Sequence, residues 1–372
     1  MKILYSCLSK SWGGMEMFTL TAVHQLLKRN IEVELLCFEN SRLHKEAEKQ
    51  KLIFHTSKAS GYFHPLESFK LSRIIQNGKF DLIHTQASKD LWVLVPALKI
   101  IRSTIPLFLT KQVGSFIIKK DKLHRWIYNR VTYALAISEV IKRNLLDTCP
   151  LTDDKILLLH NAVDTKNFDP EKIDKQNVRK EFGFTDDEIV IGMLARFSPG
   201  KGHEEVLFAA DKLSKKFSNL KFFIIGEASR GEEEYANQIK KLATDHNLKN
   251  VVFAGFRSDT AEVLAAVNIF CFPSHAEAFG IALVEAMAMA VPSVCSSSDG
   301  VLDIAVDGET SFLFEKKNWN DLVEKLEQLI SSKEKREQFG RAARERAVKF
   351  FDLDFLTEKV ISIYKQALNE KL

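Results

Sequence analysis

The stretch that decides the fold runs Ile269-Phe270-Cys271-Phe272-Pro273-Ser274-His275-Ala276-Glu277-Ala278-Phe279-Gly280-Ile281-Ala282-Leu283-Val284-Glu285-Ala286-Met287-Ala288. Its first four residues are apolar and end at a proline, which reads as a buried strand. The run from Gly280 onward reads as a helix, with Glu277 in the intervening loop and Glu285 about one and a half turns inside. A helix start offers free N–H groups and the positive end of the helix dipole, which suits a phosphate. The two carboxylates flanking it suit sugar hydroxyls, because an ionised carboxylate accepts hydrogen bonds through both oxygens. The same spacing also fits an ordinary loop glutamate and a glutamate on a helix surface.

The same strand–loop–helix pattern recurs on both sides of this stretch. In the second half of the chain, 189–194, 221–225, 251–254 and 293–295 read as further strands with helices between. In the first half the series is 2–8, 32–38, 80–85, 105–110, 134–138 and 155–160, with a helix from Gly13-Gly14 to Arg29. Such alternation predicts parallel sheets joined by crossover helices. The polar segment 163–176, which carries Pro170 and no clear period, marks a linker. From Asn318 the pattern is nearly continuous helix, with a break near Phe351-Asp352. The reading is α/β, with two doubly wound domains facing across a cleft and ligands beyond the carboxyl ends of their strands.

Length and composition agree. The 372 residues suit two domains, and 45% apolar with 27% charged residues excludes a disordered chain or a short disulfide scaffold. The longest uncharged runs, such as 263–276, are too short to span a bilayer. The N-terminus lacks the pattern of a signal peptide. The five scattered cysteines include no CxxC, which fits reduced, buried thiols and a cytoplasmic location. The net charge of +4 conceals an asymmetry. Residues 1–168 hold 25 Lys and Arg against 15 Asp and Glu, a net of +10, while residues 169–372 hold 28 against 34, a net of −6. Two halves of opposite sign suggest different partners.

Two further loops carry candidate chemistry. Ala195-Arg196-Phe197-Ser198-Pro199-Gly200-Lys201-Gly202 follows the strand 189–194 and places two cations on one glycine-containing turn. Two such cations can clamp a diphosphate without a metal. Taken alone, they are as readily solvated charges. Ser11-Trp12-Gly13-Gly14 follows the first strand, and its paired glycines allow close approach of a ligand to the backbone. Neither loop is a GxxxxGK[ST] phosphate loop or a GxGxxG dinucleotide fingerprint, which disfavours a dehydrogenase.

Together these segments resemble the retaining GT-B glycosyltransferases of family 4, the glycosyl transferases group 1 set. His160-Asn161-Ala162-Val163-Asp164, Ala136-Ile137-Ser138-Glu139, Gly255-Phe256-Arg257 and Phe272-Pro273-Ser274 extend the resemblance over nearly the whole chain. It implies an acceptor-binding Rossmann-like domain at 1–168, a nucleotide-sugar-binding one at 169–350, and a C-terminal helix at 351–372 returning to the first. Glu277 would hold the donor sugar, and Glu285 the ribose hydroxyls. Arg196 and Lys201 would bind the leaving diphosphate. Phe279, Gly280 and Ile281 would add backbone N–H donors, and the Arg257 region would meet the nucleobase. Gly13 and Gly14 would lie near the phosphates and acceptor. No metal or other cofactor is expected, and the sequence shows no DxD and no clustered metal-ligand spacing. The implied reaction moves a hexose-type sugar from a nucleotide diphosphate, UDP by preference, to a cell-surface glycan, lipopolysaccharide or lipid-linked acceptor. The alternatives are a soluble enzyme making a small glycoside and a non-catalytic sugar-nucleotide-binding protein.

The chain also departs from the family pattern. Lys111 and Gln112 stand where a histidine is common, whereas His84 matches a common family histidine; all three are candidates for acceptor or sugar contact. Asp303 replaces the usual glutamate, and Ala290 and Ser311 stand where glycine is frequent. Residues 113–133, from Val113 to Tyr133, interleave Phe116, Ile117, Ile118, Leu123, Trp126, Ile127 and Val131 with five cations. This is the composition of a segment that docks on an anionic membrane surface, and equally that of a helix with its apolar face in the core. The first reading would put the enzyme at the inner face of the cytoplasmic membrane. No nucleic-acid reading element accompanies the basic charge, so a nucleic-acid partner is not expected.

Overall fold

The computed structural model describes residues 1–229 and 231–370. The chain forms two compact units, one of Met1–His160 with the chain from Leu356, the other of Asn161–Phe355. The first unit therefore ends before the 168/169 boundary read from the sequence.

The first unit is built on seven strands: β1 (Lys2–Cys7), β2 (Glu32–Phe38), β3 (Phe54–Ser57), β4 (Leu82–Thr85), β5 (Leu107–Lys111), β6 (Tyr133–Ala136) and β7 (Ile156–Leu158). They lie in the order β3-β2-β1-β4-β5-β6-β7, and every pair is parallel. The second unit has six: β8 (Ile189–Leu194), β9 (Leu220–Ile225), β10 (Val251–Gly255), β11 (Ile269–Phe272), β12 (Ser293–Ser296) and β13 (Ser311–Phe314). Their order is β10-β9-β8-β11-β12-β13, again all parallel. Both sheets are doubly wound. The winding reverses between β1 and β4 in one and between β8 and β11 in the other, and ligand sites form at such reversals.

The central strands are continuous apolar runs because both faces are covered by helices. The sequence reading missed β3 and β13. Phe54-His55-Thr56-Ser57 has a single strongly apolar residue, and Ser311-Phe312-Leu313-Phe314 is short and begins with a hydroxyl; both are edge strands, which need less apolar surface. The expected linker also overlaps a helix, Lys175–Glu181, whose Asp174 carboxylate accepts from Gln176 N–H.

The last helix, Leu353–Asn369, belongs mostly to the first unit. Ile361, Tyr364 and Ala367 are buried in the core formed by Ile3, Tyr5, Val33, Leu35 and Phe108. Its start is fixed at Asp352, whose Oδ1 accepts from the N–H groups of Asp354 and Phe355 at 3.0 and 3.1 Å. Val163 pairs with the chain on either side of that break, donating to Phe351 O at 3.0 Å and accepting from Leu353 N–H at 2.9 Å. An N-cap carboxylate and this bridge divide what reads as one long helix.

All five cysteines are buried and none is in a disulfide. Among the described residues no helix is long and apolar enough to cross a membrane. The segment 113–133 is not one amphipathic helix. Its first part is irregular and exposes Val113, Phe116, Ile117 and Ile118; only Lys122–Tyr128 is helical, capped by Asp121, and there Ile127 and Tyr128 are buried. The helical part buries Ile127 and Tyr128 but leaves Leu123 and Trp126 exposed, so it packs in the core only in part.

The helix Ile281–Ala288 ends with the backbone pattern of a Schellman motif: Val291 N–H donates to Ala286 O and Ala290 N–H to Met287 O, both at 3.0 Å. Ala290 holds the left-handed position at φ +56°, where its Cβ is strained. Replacing Ala290 with Gly should therefore stabilise the fold by about 0.5–1 kcal/mol in urea titration.

Candidate functional site

The loops after β8 and β11 leave the second sheet at its reversal point and are locked to each other. Gly202, at φ +88°, ends the first loop, and a Cβ there would lie 2.5 Å from the Pro273 ring and 2.6 Å from Pro273 O. Only glycine lets the backbones come this close. One residue pair further out, His275 N–H donates to Gly200 O at 2.8 Å. These two contacts place Lys201 opposite Glu277, with Nζ 2.5 Å from Oε1. Both side chains remain partly accessible, at 23% and 16% exposure. Lys201 Nζ has three protons, so one bond to Glu277 leaves others for an anionic ligand.

Gly280 is the N-cap of the helix Ile281–Ala288 and sits at φ +112°, a conformation that a side chain would strain. Its cap makes no side-chain hydrogen bond, and Leu283 N–H turns back to Gly280 O at 3.0 Å, so the N–H groups of Ile281 and Ala282 keep their capacity for a ligand. Phe279 is buried, whereas Ile281 is exposed. The loop after β12 supports this arrangement from below: Gly300 N–H donates to Glu277 O at 3.0 Å and Ser298 Oγ to Ser274 O at 3.1 Å.

Glu285, on the same helix, is half-buried, and no described side chain pairs with its carboxyl. Burial raises its pKa from 4.5 to about 7. A carboxyl desolvated without a protein partner is one that a ligand with hydroxyl donors can complete. Arg196 is exposed and donates from Nη1 to Ser229 Oγ at 2.8 Å, which holds it towards the loop after β9.

Other predicted residues are placed differently. Arg257 clamps two carboxylates, donating to Asp259 from Nε at 2.8 Å and from Nη2 at 2.6 Å, and to both oxygens of Glu181. These hydrogen bonds raise its pKa further above the ordinary arginine value. Its geometry is that of a brace between the loop after β10 and the helix Lys175–Glu181, and a nucleobase would compete with that pairing. His84 is corrected outright as a contact residue. It is 2% exposed, with Nδ1 against the Tyr364 hydroxyl and Nε2 2.7 Å from Thr110 Oγ1. Burial lowers its pKa to about 3, so it stays neutral and structural. Gly13 caps the helix Gly14–Leu27 in the first unit, and the Cβ position of Gly14 is open. Lys111 and Gln112 line a cavity of that unit.

The sequence reading passed over His275 and Glu205. His275 Nε2 lies 2.6 Å from Glu205 Oε1, a buried carboxylate on the helix His203–Leu213. The signal was present, since His275 stands two residues before Glu277 and Glu205 four after Lys201, but contact across 70 residues is visible only in three dimensions. Among the described residues no group of three or more His, Cys, Asp and Glu is arranged to hold a metal ion.

Comparison with known proteins gives this geometry its family. Residues 12–167 match the family described as Glycosyltransferase Family 4, and residues 174–346 match Glycosyl transferases group 1. This chain belongs to the group 1 glycosyltransferases. Its two doubly wound domains are those of the GT-B fold. This glycosyltransferase is 30% identical over 241 residues to the capsular polysaccharide biosynthesis glycosyltransferase CapM of Staphylococcus aureus, a match spanning 64% of this chain and 63% of CapM. The crystal structure of a glycosyltransferase from Rickettsia africae superposes with a TM-score of 0.90 at 22% identity, covering 99% of this chain and 98% of the other. Anabaena HepE, solved in complex with UDP and glucose, superposes at 0.79 and 21%, covering 98% and 99%.

The strain on Glu285 yields a measurable consequence. Its folded pKa lies above its unfolded value, so its ionisation is a cost to the folded state. That cost is absent below about pH 4.5, grows as pH rises to 7, and is complete above it. Glu285→Gln should raise the melting temperature of the ligand-free protein at pH 8 and leave it unchanged at pH 4. Equal shifts at both pH values would mean that the gain does not come from ionisation.

Proposed function

We propose that this glycosyltransferase moves a hexose-type sugar from a nucleotide diphosphate, UDP by preference, to a glycan or lipid-linked acceptor of the cell surface, with retention at the anomeric carbon. The observation that carries the donor half is the Lys201–Glu277 pair, held where the second sheet reverses and set beside an uncapped helix start. HepE, with its bound UDP and glucose, and CapM, with its role in capsular polysaccharide, support the choice of donor and acceptor class.

The chemistry follows from where charge develops. As the anomeric C–O bond breaks, its electron pair leaves with the diphosphate and positive charge builds on the sugar. Lys201 and Arg196 meet the departing negative charge, together with the N–H groups of Phe279, Gly280 and Ile281. Fixed donors of this kind stabilise a transition state without reorganising. Glu277 holds the sugar hydroxyls and offsets the positive charge on the ring. Its pairing with Lys201 holds it oriented before the donor arrives. Glu285 accepts the ribose hydroxyls, recovering the hydrogen bonds it lost on burial. The basic first unit takes the acceptor. With cations and N–H groups supplying the counter-charge, the reading needs no metal ion.

The exposed loop from Val113 to Ile118 supports a second feature of the same reading. Phe116, Ile117 and Ile118 face solvent beside Lys119, Lys120 and Lys122. Apolar residues that insert and cations that meet anionic headgroups are what a peripheral membrane contact needs, at about 1 kcal/mol per cation.

Thermal shift with UDP, GDP, ADP and their sugars, with and without EDTA, tests the donor site. Stabilisation should follow RT ln(1 + [L]/Kd), be largest for UDP and be indifferent to EDTA. Glu277→Ala and Lys201→Ala should each lower turnover about 10²-fold or more. A protein that no nucleotide stabilises at millimolar concentration would overturn the donor assignment. For the membrane contact, the protein should sediment with phosphatidylglycerol vesicles in low salt and be released in high salt; absence of salt-sensitive binding would refute it.

A further inference from the structure

The first unit contains a cavity of about 580 Å³ beyond the carboxyl ends of β1, β4 and β5. Four lysines line it: Lys10 from the loop after β1, Lys89 from that after β4, Lys111 at the end of β5, and Lys119 beyond. Among the described residues none of the four is ion-paired to a carboxylate. The one acid in the lining, Asp90, is turned to internal use. It is buried, and its Oδ2 accepts from Ser6 Oγ and Thr85 Oγ1 at 2.9 Å and from Leu8 N–H at 3.0 Å. The lining thus sets four ammonium groups against one carboxylate that is buried and hydrogen-bonded internally.

Lys111 shows that this is a built feature. It is only 7% exposed, and its ammonium donates to Ser88 Oγ at 3.2 Å and to no acid. A cation that is nine-tenths buried and lacks an anion is costly to keep. Burial first, and then the charge of Lys119, pull its pKa down to about 8. An anion entering the cavity would offset both effects. His64, also in the lining, has a buried Nε2 with no partner.

The walls of the cavity supply the second observation. Two of its loops, 59–64 and 113–119, line it with Gly61, His64, Val113 and Lys119. Between those residues the same loops carry Tyr62, Phe63, Phe116, Ile117 and Ile118, all exposed. Several large apolar side chains exposed on loops that also line the cavity point to a contact surface. A soluble anion would need the lysines but not these residues, whereas an amphiphile uses both.

We infer that this cavity seats a phosphate group of a lipid-carried acceptor, with the lysine ammonium groups on the phosphate oxygens and the two exposed loops against the hydrocarbon. Lysines act as point charges toward phosphate, and several brought to one cavity by different loops fix its position without a bidentate fork. The inference rests on the reading of the first unit as the acceptor side, and it narrows that reading to an acceptor that is both anionic and amphiphilic.

The test uses farnesyl monophosphate as the probe, with inorganic phosphate and farnesol as the other arms, and measures binding to the full chain by calorimetry. Farnesyl monophosphate should bind at least about tenfold more tightly than either control. Lys111→Gln and Lys119→Gln should each weaken it about tenfold, leaving UDP-induced stabilisation unchanged. Phe116→Ser with Ile117→Ser should remove only the advantage over inorganic phosphate. Lys201→Ala, in the other unit, should lose the response to UDP and keep farnesyl monophosphate. Equal binding of inorganic phosphate and farnesyl monophosphate would assign the cavity to a soluble phosphate and overturn the lipid part. Binding indifferent to both lysine substitutions would overturn the whole inference. A failure of UDP to stabilise the wild type would instead count against the donor reading.

Discussion

Strands β8 and β11 lie side by side where the winding of the second sheet reverses, so their connections run to opposite faces and their loops diverge. The chain closes that divergence with two short contacts, the Gly202–Pro273 packing and the His275 N–H bond to Gly200 O. Everything chemical in the unit depends on them. They set Lys201 against Glu277, leave the start of the helix Ile281–Ala288 open, and place the loop after β12 beneath as support. A side chain at Gly202 would meet the Pro273 ring at 2.5 Å and its carbonyl at 2.6 Å, so the loops would have to shift and stretch the Lys201–Glu277 contact.

The same topology recurs in the first unit with a different charge. There the reversal between β1 and β4 opens onto four lysines, and the one carboxylate in the lining is turned inward to hold the ends of β1 and β4. The opposite net charges of the two halves therefore reflect two kinds of site. In the second unit a few local cations and N–H groups lie at the candidate site within a half of net negative charge. In the first, the unpaired cations are themselves the feature.

Much of this was legible in the sequence. Strands such as 189–194 and 269–272 are apolar runs bounded by breakers, because a strand buried on both faces leaves no other choice. Glu277, Lys201 and Gly280 could be picked out because they sit in loops directly after such strands. The edges were less legible: β3 and β13 bury less, so their sequences carry less signal. His84 was misplaced, and the pairing of Arg257 went unseen, for a related reason. A cation or an imidazole in a motif looks available until its neighbours are known, and Glu181 lies 76 residues from Arg257 and Tyr364 lies 280 from His84.

The sequence by itself determined the α/β class, the division into two units, and the loops that hold the candidate-site residues, because periodicity and glycine placement are local properties of the chain. Tertiary structure alone decided which of those residues are free to meet a ligand. It enclosed His84 behind the last helix, tied Arg257 to two carboxylates, left Glu285 desolvated without a partner among the described side chains, and gathered four lysines around one cavity. Availability depends on what packs around a group and from which direction, and in a parallel sheet the neighbours arrive from distant parts of the chain.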